Sequence, residues 1–244
     1  MTARDGGSCP GDSYVGSELT LFAAAVNWKS YVARQLGPHV RGRVLEVGAG
    51  LGSNIPYLLT SSVETWLALE PDPDLAAVIW QKIGSGELPA VCRSVTGTLD
   101  ALPPGDVFDT ILYLDVLEHI ADDAAELRHA ARRLAPGGKL VVLAPAHPFL
   151  FSPFDTAIGH FRRYTAASLR AAGPPGVQVR LCRMLDSIGF FASLANRVML
   201  RSAQPTPGQI KLWDRAMVPL SRVIDRLTGF AFGKSVLVVW SRRA

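Results

Sequence analysis

Gly48, Gly50 and Gly52 follow directly on an apolar run, Val44-Leu45-Glu46-Val47, that carries a single acid. Such a run reads as a buried parallel strand, and the glycines after it let the backbone turn tightly and approach a ligand closely. Glu70 closes a second apolar stretch, Thr65 to Leu69, just before Pro71-Asp72. An acid at the tip of a second strand, about 20 residues beyond a glycine turn, is the position that accepts hydrogen bonds from a ribose diol. Farther along, His147 and His160 bracket a loop rich in aromatic and polar residues. Imidazole, with an ordinary pKa of about 6.5, is the natural proton acceptor near neutrality. The chemistry these residues suggest is a nucleoside-type ligand held beside an acid–base group.

The glycine spacing narrows the ligand. A dinucleotide-binding turn wants a third glycine at position 53, which is Ser53, and the chain has no Tyr-x-x-x-Lys pair. An NAD(P)-dependent oxidoreductase is therefore the weaker reading, and a non-catalytic binding module would be expected to have lost part of the turn. Residues 46–52 instead resemble motif I, E/D-x-G-x-G-x-G, of the class I S-adenosylmethionine-dependent methyltransferases. The resemblance continues through Phe108-Asp109 and the apolar run after it, Asp115-Val116-Leu117-Glu118-His119-Ile120, Pro136-Gly137-Gly138, and Gly159-His160-Phe161-Arg162-Arg163-Tyr164-Thr165. It covers roughly residues 40–182 well and the rest loosely.

That resemblance implies an α/β fold: a seven-stranded Rossmann-like sheet, mostly parallel with an antiparallel seventh strand, and helices on both faces. It implies S-adenosylmethionine as cofactor. Glu46, Gly48, Gly50 and Gly52 would surround its methionine end, Glu70 and Pro71 its ribose, Thr98 and Leu99 its adenine, and Asp115 its amino group. Tyr14, Trp28, Tyr31, Arg163 and Tyr164 would contact a small-molecule acceptor, and His160 or His147 would serve as general base, with O-methylation favoured and a place in natural-product biosynthesis.

The elements that must position these residues can be read in order. Residues 1–13, rich in Gly, Ser, Asp and Pro, read as a mobile leader. Leu19, Phe22, Ala23, Val26, Val32 and Leu36 fall near helical spacing, giving one helix or two before Gly37-Pro38. Helices are then expected at 54–59 and 75–83, and strands at 91–95 and 108–114. Ile120, Ala124, Leu127, Ala131 and Leu134 make one apolar stripe, with Asp122 and Asp123 in the first turn and Arg132 and Arg133 in the last. Pro136-Gly137-Gly138 should break that helix before a fifth strand at 139–144. A sixth strand is expected at 177–183 and a seventh at 235–240. The span between them is too long for a loop and reads as helices near 188–200 and 210–227, kinked at Pro219. These helices would cover an apolar acceptor, or complete the core, or lay a basic face on anionic lipid. The whole reads as a single domain: an N-terminal leader and capping helix (1–40), a cofactor-binding core (41–183), a helical insertion (184–233) and a last strand (234–244).

Composition bounds the rest. The chain has 244 residues, 48% hydrophobic, enough for one substantial core. Cys9, Cys92 and Cys182 are scattered, which argues against a disulfide framework or zinc site and fits a reducing cytoplasm. No run is long and apolar enough for a membrane span, so no integral membrane association is expected. No paired acids follow the fourth strand in the manner of a metal site, and Leu114-Asp115-Val116-Leu117 does not match the amine-methylating motif of DNA enzymes. Neither a metal nor a nucleic-acid partner is expected, and the oligomeric state is open. The net charge of +4 is uneven: residues 183–244 carry ten Lys/Arg against three Asp.

Overall fold

The computed structural model describes residues 19, 22–197 and 206–243. Seven strands, β1 (Gly42–Val47), β2 (Val63–Glu70), β3 (Cys92–Thr96), β4 (Phe108–Leu114), β5 (Leu134–Pro145), β6 (Val177–Leu185) and β7 (Ser235–Arg242), form one sheet. Their order is β3-β2-β1-β4-β5-β7-β6, with β7 antiparallel to both neighbours and every other pair parallel. Helices α1 (Val26–Leu36), α2 (Ile55–Leu58), α3 (Pro73–Gly84), α4 (Asp123–Arg132), α5 (Pro153–Ala157), α6 (Ala166–Ala171), α7 (Ser187–Ala195), α8 (Pro207–Leu212) and α9 (Val218–Leu227) connect them.

Successive side chains of a strand point to opposite faces, so the central strands feed two cores. Val44, Leu112, Val141 and Val239 meet Tyr31, Leu36 and Trp213 on one face. Leu45, Ile111, Val142 and Val238 meet Leu127, Ala130 and Leu169 on the other. Burial on both faces is why these strands are continuous apolar runs rather than alternating ones. The parallel strands all end at one edge, delivering Gly48, Glu70, Asp115 and Pro145 there.

Three expectations shift. The fifth strand starts at Leu134, not Lys139, because Pro136-Gly137-Gly138 is a bulge within it: pairing passes from Phe108 with Leu134 to Thr110 with Lys139. Gly137 holds φ +73°, and a Cβ on Gly138 would lie 2.8 Å from the Ala135 carbonyl oxygen. The preceding helix consequently closes at Arg132, and Leu134 belongs to the sheet. The expected kinked helix over 210–227 is instead α8 and α9 joined by a π turn, Trp213–Met217. Pro219 cannot donate to the preceding turn, and the wider turn relieves the crowding its ring would cause. The expected helix at 188–200 begins as α7 at Ser187 and continues as a π turn at 196–197, and its remainder lies outside the described residues. Tyr14, the leader and residues 198–205 lie outside the described residues.

Candidate active site

A cavity of about 270 Å³ opens at the carboxyl edge of the sheet, walled by the turn after β1, the segments leaving β4 and β5, and the start of β7. Antiparallel β7 begins where its parallel neighbours end, which brings Lys234 and Ser235 to the site.

The glycine turn forms one wall through Gly48, Ala49, Gly50 and Leu51. Gly48, Gly50 and Gly52 hold φ of +67°, +56° and +66°, where a side chain is strained. A Cβ on Gly48 would also approach Val116 to 2.7 Å. Behind the turn, the amide of Gly50 donates to Glu70 Oε2 at 2.7 Å and that of Asp72 to Oε1 at 3.0 Å. Glu70 thus clamps the turn, and a carboxylate with two such bonds still has lone pairs for hydroxyl donors. Burial raises its pKa, opposed by these two amides. Glu46 is buried away from the cavity wall, accepting from Asn54 Nδ2 at 3.1 Å and Trp66 Nε1 at 3.3 Å. Through Asn54, which does line the cavity, it supports the turn from beneath. Pro71 and Thr98 are exposed and Leu99 is buried, all three off this cavity's wall.

Opposite stands a charged cluster. Asp155 is fully buried in α5, and its Oδ2 accepts from the Ser152 amide at 2.9 Å and hydroxyl at 2.8 Å. Arg163 grips the same carboxylate, Nε to Oδ1 at 2.7 Å and Nη2 to Oδ2 at 3.0 Å. His160 Nδ1 pairs with Oδ1 at 2.9 Å. Burial alone would raise the pKa of Asp155, but the His160 and Arg163 bonds prevail and hold it well below the ordinary carboxylate range. An ionised Asp155 fixes His160 with its proton on Nδ1 and leaves Nε2 toward the cavity, 3.8 Å from Glu118 Oε1. Glu118 is buried, its Oε2 has no hydrogen-bond partner, and burial together with Asp115 pushes its pKa well up. His119 packs edge-on against His160 at 4.5 Å, and burial beside that ring lowers its pKa to about 4.

Asp115 leaves β4 with φ +56° and lines the cavity. Enclosure by protein raises its pKa to about 6, against the pull of His160, Lys234 and Lys29. Lys29 donates to the carbonyls of Phe22 at 2.6 Å and Ala23 at 2.8 Å, and burial lowers it to about 8. Lys234 sits over the Trp213 ring at 5.0 Å. Glu118, His119 and His160 each offer one ligand atom within 4.8 Å of the others, so they are the group among the described residues that could hold a metal ion.

The fold therefore brings Gly48, Gly50, Asp115, His160, Trp28 and Arg163 onto one cavity. Others of the sequence-derived candidates stand elsewhere. The Tyr31 hydroxyl donates to Asp225 at 2.6 Å and that of Tyr164 to Asp123 at 2.6 Å. His147, at φ +66°, turns its Nε2 to the Gly233 carbonyl at 2.9 Å and packs against Phe190, off the cavity wall. Lys29, Asn54, Glu118 and Lys234 were not singled out in the sequence. For Lys234 a signal existed, since an antiparallel seventh strand must start on the ligand edge. For Lys29 none did.

Comparison with known proteins agrees with this geometry. A methyltransferase-domain family model matches residues 23–187. The chain is 33% identical over 129 residues to a tRNA U34 carboxymethyltransferase of Syntrophotalea carbinolica, covering 50% of this chain and 38% of that protein. It is 29% identical over 154 residues to a demethylmenaquinone methyltransferase of Tropheryma whipplei, covering 58% and 59%. The matches thus span less than two thirds of either relative. Its fold resembles that of a Haloferax volcanii methyltransferase solved with the Trm112 activator, with a TM-score of 0.65 at 17% identity over 98% of this chain and 100% of that one. With a turn of three positive-φ glycines, a buried acid clamping it from behind and a family match over more than half its length, the chain belongs to the class I S-adenosylmethionine-dependent methyltransferases.

Proposed function

We propose that the protein methylates a small, largely apolar acceptor bearing a hydroxyl group, with His160 as general base, in a cytoplasmic biosynthetic setting such as natural-product formation. The observation that carries this reading is His160 on the cavity wall, held from behind by buried Asp155. S-adenosylmethionine, when bound, supplies a methyl group already activated on its sulfonium. What remains for the chain is to orient the acceptor, exclude water and receive a proton. Gly48 and Gly50 leave room for close approach on one side, and Asp115 is suited to a cationic amino group. Thr98 and Leu99 would lie toward adenine and Pro71 beside the ribose. Trp28, Phe154 and Ile158 offer the acceptor an apolar wall, and Arg163 keeps Asp155 ionised. His160 Nε2 would receive the acceptor's hydroxyl proton, freeing the oxygen to attack a methyl group whose bond to the donor sulfonium breaks as the thioether leaves. We propose the transfer to be metal-independent and the acceptor not to be a nucleic acid.

A second reading is supported by the relatives named as quinone methyltransferases. Deprotonating a ring hydroxyl also makes an adjacent ring carbon nucleophilic, so the same base would serve C-methylation.

Single variants test the assignment. His160→Gln should lower turnover by about 100-fold or more, the usual contribution of a general base, with affinity for the methyl donor nearly unchanged. His147→Gln should retain most turnover. The opposite pattern would transfer the role to His147, and full activity in both variants would remove histidine base catalysis. Inhibition by a chelator, reversed by added metal, would instead point to the cluster of Glu118, His119 and His160.

A further inference from the structure

α9 buries its polar side and exposes its apolar side. Ser221 and Asp225 are fully buried, whereas Leu220, Val223 and Leu227 are 51%, 55% and 82% exposed. At about 100° per residue these three lie on one stripe, opposite Val218, Ser221 and Asp225. The inversion has a cause. Ser221 and Asp225 are spent inside, donating to Asp186 and accepting from Tyr31 and from the amides of Asp186, Ser187 and Ile188. Nothing among the described residues covers the apolar stripe left outside.

Cations border that stripe. Arg222 and Arg226 lie one turn apart on its flank, and Arg34 of α1 comes close enough to feel both charges. Lys211 and Arg215 are exposed on the turns just before, beside Leu212 at 56% exposure. No exposed acid on these described elements offsets them. The acids of residues 206–227 are Asp214 and Asp225, 5% and 0% exposed and both engaged in hydrogen bonds. α1 contains none.

We propose that this face, α9 with the adjoining ends of α8 and α1, docks on an anionic lipid surface. Leu220, Val223 and Leu227 would enter the headgroup–acyl boundary, with the guanidinium groups among the phosphates. An aliphatic stripe rimmed by unopposed arginines is the pattern of a helix lying in a membrane interface. It differs from a spanning helix, and none of the described helices is long and apolar enough to cross a bilayer. A second copy of the chain fits less well, since two-fold pairing would bring Arg34, Arg222 and Arg226 near their own images. A nucleic acid would use the cations but leave the exposed leucines in water. Trp213, whose indole lines the cavity, belongs to the same helical run, so docking would set the cavity close to the bilayer.

Co-sedimentation of the full chain with vesicles tests this. The protein should pellet with vesicles of equal parts phosphatidylcholine and phosphatidylglycerol and stay in solution with phosphatidylcholine alone. Arg222→Gln with Arg226→Gln should weaken partitioning by about 30-fold, from the loss of two cations at an anionic surface. Val223→Asp with Leu227→Asp should abolish it with Arg222 and Arg226 still in place. S-adenosylhomocysteine affinity, measured in parallel, should stay at the wild-type value in both and so report intact folding. Equal partitioning of wild type and variants, or none with anionic vesicles, would overturn the proposal. So would sedimentation velocity showing a dimer lost in the Asp variant, or RNA binding sensitive to the arginines and indifferent to the apolar pair.

Discussion

Glu46 shows how a motif residue can support a glycine turn from off the cavity wall. It is 1% exposed, and burial raises its pKa to about 7 although Asn54 and Trp66 donate to it. The unfolded chain releases that proton near pH 4.5. Between those values the folded state holds a proton that the unfolded state does not, so stability falls as pH rises from about 4.5 through 7 and the loss is complete above. The interval corresponds to roughly 3 kcal/mol. Glu46→Gln should flatten this dependence: unfolding in urea should find the variant close to wild type at pH 4.5 and more stable at pH 8. An unchanged slope between the two would mean that Glu46 titrates in the folded protein as it does in water. The sequence revealed an acid in an apolar strand that needed partners, and this much was legible. That the partners are an indole from β2 and an amide from the turn was not, because both come from register and rotamer rather than from spacing.

At the scale of elements, α1 illustrates a helix whose start is set from far away in the chain. Ala25 provides no side-chain cap. Asp214, in the π turn, supplies it, accepting from the Trp28 amide at 2.9 Å and from the Asn27 amide and side chain at 3.2 and 3.1 Å. A carboxylate at a helix N-terminus also complements the macrodipole. Asp214→Ala should therefore cost about 1–2 kcal/mol, and Asp214→Asn, which keeps an acceptor, should cost less. Thermal unfolding of both would read this, and equal losses would mean that charge rather than capping dominates. The parallel core was legible because β1, β4 and β5 carry apolar runs ended by glycine, acid or proline, and β2 and β3 follow at the expected spacing. The same reasoning failed at Pro136-Gly137-Gly138, since these residues mark a break and a bulge alike, and only pairing with β4 decides. It could not find the cap on α1 either, because the cap depends on a turn almost two hundred residues away. Within the site, the glycine turn and His160 were legible from their motifs. Lys29 was not, because an amphipathic helix gives no sign of which lysine turns inward.

For the molecule as a whole, the question is whether the helices between β6 and β7 move over the cavity or belong to the core. Their anchoring favours the core. Asp186, fully buried at φ +67°, accepts from Trp213 Nε1 at 2.7 Å, Ser221 Oγ at 2.7 Å and the Gly189 amide at 3.0 Å. Asp225, equally buried, accepts from Tyr31 and from the amides of Asp186 and Ser187. One polar network thus ties α7, α9 and α1 to the end of β6, and opening it would expose several donors and two carboxylates at once. Such satisfied networks are rigid, and partial disruption is costly. Of the large apolar residues on this segment, Trp213 reaches the cavity, while Leu212 and Phe191 face outward and Phe190 packs on His147. Hydrogen exchange with and without S-adenosylhomocysteine should therefore divide the chain. At 100 times its Kd the ligand should raise global stability by about 2.7 kcal/mol, and local protection should concentrate at residues 48–54 and 22–29, where the cavity wall is loop and helix start. Amides of α7 and α9 should already be slow without ligand and gain no more than the global increment. Asp225→Ala, which strands three donors, should cost about 3 kcal/mol or more and make those helices exchange fast. If α7 and α9 exchanged quickly in the free protein and slowly in the complex, they would be a closing cover and the network a latch rather than part of the core.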